Sequence, residues 1–155
     1  MKKNQKGFSL IELLIVVAII LIIAAIAIPN LLRSRMAANE ASAVGSLRTL
    51  NTAAVTYSSA YPSVGYPASL AVLKPATTAN SATADLVDSV LASGTKSGYA
   101  FTWTAGSGTP STGYSINANP VSPNTSGTRG FYTDQSGVIR YASASGAASS
   151  DSPLQ

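Results

Sequence analysis

The sequence predicts an α+β chain: one long, kinked N-terminal α-helix packed against a small antiparallel β-sheet. Three observations carry this. The stretch from Phe8 to Ile28 is apolar apart from Ser9 and Glu12, and about 20 such residues make roughly 30 Å of helix, one membrane crossing. Apolar residues then continue at helical steps, at Met36, Val44, Leu47, Leu50, Ala54 and Tyr57. From Tyr99 the period drops to two: Tyr99, Phe101 and Trp103 alternate with Ala100, Thr102 and Thr104, as in a strand with one buried face.

The helix is expected from Ser9 to Tyr57. Pro29 lies inside it. It cannot donate a backbone hydrogen bond and crowds the carbonyl of Ala25, so a kink or local unwinding is expected there. Ala24, Ala25 and Ala27 are small enough to let helices approach closely. Glu40, Ser46, Arg48 and Asn51 are assigned to faces away from the apolar one.

Pro62, Gly65, Pro67 and Pro75 mark a loop after the helix. Within it, Tyr66–Leu73 reads as a short turn of helix. Asp85–Leu91 has apolar residues at helical spacing, with Gly94 as its stop. Gly106-Ser107-Gly108 is a turn between strands at 99–104 and 114–118. Two more strands, Gly130–Thr133 and Val138–Tyr141, flank the turn Asp134–Gly137. The reading is three or four strands packed on the helix beyond Pro29. The tail after Tyr141 is mostly Ala, Ser and Gly, and is expected to be mobile or to lie along the sheet.

Composition narrows the function. Cysteine and histidine are absent, so no disulfide, thiolate nucleophile or Cys-zinc site is possible, and the commonest general base and metal ligand are missing. This disfavours an enzyme, and no cofactor or metal is expected. Asp85 and Asp88 on one helix face read as solvated residues near a helix start rather than paired catalytic acids. Asp134 and Asp151 alone make a poor calcium site. The net charge is +4, but Lys2, Lys3 and Lys6 precede the apolar run and act as a cytoplasmic anchor. The remaining basic and acidic residues nearly balance, and no nucleic-acid contact is predicted. Asn124-Thr125-Ser126 fits a glycosylation acceptor, a triplet common by chance. The 11 aromatic residues lie almost wholly in the C-terminal part and read as its core.

Glu12 is the residue that needs explaining. A charge costs about 2.5–3.5 kcal/mol at the centre of a spanning helix and less near its ends. A secretory signal peptide or a plain signal anchor explains the basic start and the apolar stretch, but neither explains Glu12.

Lys6-Gly7-Phe8-Ser9-Leu10-Ile11-Glu12-Leu13, the apolar run behind it and Pro29 together resemble the N-terminus of type IV prepilins and pseudopilins. The likeness is dense over about the first 30 residues. The pattern Arg129…Phe131…Asp134…Gly137-Val138-Ile139-Arg140 also resembles the end of pilin-like heads. The resemblance implies cleavage by a prepilin peptidase between Gly7 and Phe8, and N-methylation of the new Phe8 terminus. It further implies that Glu12 of one subunit meets the Phe8 amine of its neighbour and sets axial register. A buried carboxylate needs an opposite charge or must go neutral, which supports that pairing.

Domains are accordingly expected as a leader at 1–7, a membrane and filament-core helix at 8–29, the outer helix at 30–58, a connecting segment at 59–98, and the sheet with its tail at 99–155. The implied partners are identical subunits in a helical homopolymer, prepilin peptidase, an inner-membrane assembly platform, and membrane lipid before assembly. The implied function is a structural, major pilin-like subunit of a type IV pilus-like filament. A pseudopilin of a type II secretion system and an uncleaved membrane-anchored protein are the alternatives. The implied location is the bacterial inner membrane before assembly and a surface filament or periplasmic pseudopilus after it.

Overall fold

The computed structural model describes residues 7–143 and 146–154. The leader lysines Lys2, Lys3 and Lys6 lie outside the described residues. The chain divides into two units, Met1–Ser34 and Arg35–Gln155. One helix, α1 (Leu10–Ala60), supplies the described helical residues of the first and begins the second. It continues through Pro29 without a break, so the proline does not end it.

In the C-terminal unit, α1 is followed by a 3-10 turn at Leu70–Leu73 and a short helix α2 (Ser89–Ala92). Five strands follow: β1 (Thr95–Lys96), β2 (Tyr99–Ala105), β3 (Tyr114–Pro120), β4 (Arg129–Asp134) and β5 (Arg140–Ser143). They form one antiparallel sheet in chain order. The α+β class is as the sequence predicts.

The core forms where the two periodicities meet. Leu47, Leu50, Ala54 and Tyr57 of α1 pack with Tyr99, Phe101, Tyr114, Ile116, Ala118 and Phe131 of the sheet. Each fully buried large apolar side chain contributes about 1.5–3 kcal/mol. Leu70, Leu73 and Leu91 close one end. Asn51 of α1 joins the sheet through polar contacts. It accepts from the Tyr114 hydroxyl at 3.0 Å and donates to Thr133 Oγ1 at 2.9 Å.

Several expectations need correction. Among the described residues the strand count is five, because a two-residue β1 pairs with β2 through the hairpin Ser97-Gly98. Both turn residues have positive φ, 50° and 74°, as a type I′ turn requires. The helix read from Asp85 begins only at Ser89. Asp88 caps it by accepting from the Leu91 N–H at 2.8 Å, while Asp85 has φ 53° and so does not share a helix face with Asp88. The last strand starts at Arg140, not Val138: the Ile139 carbonyl instead accepts from the Leu154 N–H. For the tail, the second of the two expectations holds: its described residues lie along the sheet. Gly146 donates to Asn119 Oδ1, Asn117 donates to the Ala147 carbonyl, and Arg140 donates to that of Asp151. Finally, Glu40 and Ser46 are buried rather than facing water.

Candidate assembly site

Gly7, Phe8 and Ser9 precede α1, and Phe8 is 81% exposed. With Leu10 as the first helical residue, Ser9 is the N-cap and Glu12 closes the first turn, the spacing of a capping box. The Ser9 backbone N–H donates to Glu12 Oε2 at 2.9 Å. Glu12 therefore has a local partner within its own chain. The sequence reading missed it, although Ser-x-x-Glu was the available signal. Helix dipoles also favour a carboxylate in the first turn, by about 0.3–1 kcal/mol.

Behind Glu12 every Ile, Leu and Val from Leu10 to Leu32 is exposed. The helix is long and apolar enough to cross a membrane. An apolar surface of this extent needs lipid or other apolar helices around it. Glu12 is the acidic residue at its start, and Pro29 lies near its end.

A second polar cluster sits in the C-terminal unit, and sequence reasoning missed it. Glu40, on α1, takes four hydrogen bonds. Oε1 accepts from Thr128 N–H at 2.8 Å, Thr128 Oγ1 at 2.9 Å and Arg129 N–H at 3.2 Å; Oε2 accepts from Arg129 Nε at 2.8 Å. Burial alone pushes the Glu40 carboxyl up, but these donors and the Arg129 charge outweigh it and hold the group below its ordinary value. The Arg129 guanidinium lies 5.6 Å from the Phe131 ring centre and 5.5 Å from that of Tyr141. The Tyr99 hydroxyl donates to the Arg129 carbonyl at 2.8 Å. This cluster fixes the β3–β4 connection to α1. Asp134 and Asp151 instead cap turns, accepting from Ser136 N–H and Ala148 N–H.

The family model for the prokaryotic N-terminal methylation motif matches residues 2–28, the segment that holds Gly7, Phe8 and Glu12. Among curated proteins, the chain is 66% identical over 38 residues to the type IV wide pilus major component PilA4 of Thermus thermophilus. It is 50% identical over 50 residues to the type IV major pilin protein PilA of Myxococcus xanthus. The N-terminal segment is thus similar to that of type IV pilins. The matches cover 24% and 32% of this chain, and only 29% and 23% of the two pilins. No solved structure matches the chain.

Proposed function

We propose that this chain is a type IV pilin, the major structural subunit of a helical surface filament. It waits in the inner membrane with its apolar helix in lipid. Prepilin peptidase cuts between Gly7 and Phe8, and the Phe8 amine is methylated. An inner-membrane platform then adds the subunit to identical copies, whose apolar helices replace lipid around one another. The observation that carries this is the pairing of the exposed apolar stretch of α1 from Leu10 to Leu32 with a carboxylate, Glu12, at its start, inside a matched methylation motif.

In the filament, Glu12 meets the Phe8 ammonium of a neighbour. A charge pair among apolar helices fixes register, because sliding leaves both charges unpaired in a low dielectric. Pro29 leaves the Ala25 carbonyl without its helical donor, so this is where the helix bends or unwinds when the filament is stretched. Both relatives named above are pilus components, which favours a pilus over a secretion pseudopilus.

Mass spectrometry of protein from its native host tests the processing step. The expected N-terminus is N-methyl-Phe8. An intact Met1, or a terminus near Ile28, would contradict the proposal.

A further inference from the structure

The sheet of the C-terminal unit carries a polar groove that the assembly reading does not use. It holds about 310 Å³, at the lower end of the roughly 300–1,000 Å³ of small-molecule sites. It lies between the β2–β3 connection and the β4–β5 turn, and is lined by Thr104, Ser107, Thr112, Ser115, Tyr132 and Gln135. Register explains the convergence. Thr104 pairs with Ser115 across β2 and β3, and Tyr132 sits on β4 in the neighbouring row, opposite Asn117. These side chains point away from the buried face held by Tyr114, Ile116, Phe131 and Thr133.

Two glycines keep the groove open. Gly106 N–H donates to the Gly113 carbonyl at 2.8 Å, and a Cβ on Gly106 would lie 2.4 Å from that oxygen. A Cβ on Gly113 would lie 3.1 Å from Gln135 Oε1. The side chains of Thr104, Ser107, Thr112 and Gln135 make no hydrogen bond to the described protein, whereas the inward-facing polar groups Asn51, Thr133 and Glu40 are all bonded.

The chemistry of the lining selects the ligand. No Lys or Arg is among the lining residues, and Arg140, opposite Tyr132 on β5, donates to the Asp151 carbonyl, so the lining itself offers no cation to a phosphate or carboxylate. The lining is mainly polar, which excludes a lipid tail. What remains is an aromatic ring beside hydroxyls and an amide that both donate and accept. We propose that this groove binds an uncharged saccharide, with a sugar face on the Tyr132 ring and its hydroxyls on Thr104, Thr112, Ser115 and Gln135.

The test titrates the full-length chain in detergent micelles with neutral trisaccharides of hexose and N-acetylhexosamine units, and with a uronic acid trisaccharide as the charged counterpart. Binding is followed by NMR or calorimetry. A neutral trisaccharide is expected to bind. Tyr132→Ala should weaken it about tenfold by removing the ring, and Tyr132→Phe should stay within about threefold. Gly113→Ala, which pushes Gln135 into the groove, should also weaken it. Thermal unfolding of each variant separates loss of the site from loss of the fold. No neutral trisaccharide bound by the wild-type chain, tighter binding of the uronic acid, or undiminished binding by a folded Tyr132→Ala would each overturn the proposal.

Discussion

Arg129 donates through Nε to Oε2 of Glu40 at 2.8 Å, joining residues 89 positions apart in the chain. Glu40 is the buried member, with 7% of its side chain exposed against 42% for Arg129. The two ends of the pair therefore respond differently to mutation. Glu40→Ala removes the acceptor for four donors, two of them backbone N–H groups, and should cost about 1–3 kcal/mol. Arg129→Ala leaves Glu40 with three donors and should cost less. Chemical denaturation of both variants checks the order; an Arg129 variant weaker than the Glu40 variant would contradict it.

The same carboxylate makes the C-terminal unit sensitive to acid. Its folded value lies below the ordinary 4.5, so the unfolded chain binds the proton more readily. The stabilisation is present in full above pH 4.5 and is lost as pH falls through the lowered folded value. Glu40→Gln, measured by denaturation across this range, should flatten that part of the pH profile.

Two tyrosines give the opposite, alkaline signature. Burial pushes Tyr99 up to about 12, with help from the Glu40 charge, and burial likewise pushes Tyr114 up to about 12. The stabilisation from keeping them neutral is present below pH 10 and is lost as pH rises toward 12. Ultraviolet titration of the folded chain should show a class of phenols that ionises late. Tyr99→Phe and Tyr114→Phe should each remove one member of it.

Gly127 is needed for close approach. A Cβ there would lie 2.0 Å from the Tyr99 hydroxyl, which donates to the Arg129 carbonyl. Gly127→Ala should displace the ring, break that bond and cost about 1–3 kcal/mol, read as a lowered melting temperature. An unchanged melting temperature would show that Tyr99 moves freely.

The elements legible in the sequence were those with a strong period. The apolar run and the three- and four-residue steps to Tyr57 gave α1, and the alternation at Tyr99, Phe101 and Trp103 gave β2. Glu40 was misplaced because charge ordinarily means exposure, and its partner Arg129 is distant in sequence and recognisable only once the sheet is built. β1 was missed because two residues show no period; the Ser97-Gly98 turn was its only mark. Asp85 was drawn into a helix by apolar spacing, whereas Asp88 was the cap. At the candidate site, Phe8 and Glu12 stood out by motif, but the Ser9 contact depends on where the helix begins.

That contact makes one substitution decisive for the register proposal. Glu12→Gln keeps a side-chain oxygen to accept from Ser9 N–H and removes only the charge. Sheared surface filaments are to be quantified from native-host cells carrying Glu12→Gln, with the terminus of the membrane-held protein read by mass spectrometry. The expected result is processed subunits retained in the membrane with filaments lost or strongly reduced. Filaments at the wild-type level would contradict the claim that the Glu12 charge sets the register between subunits.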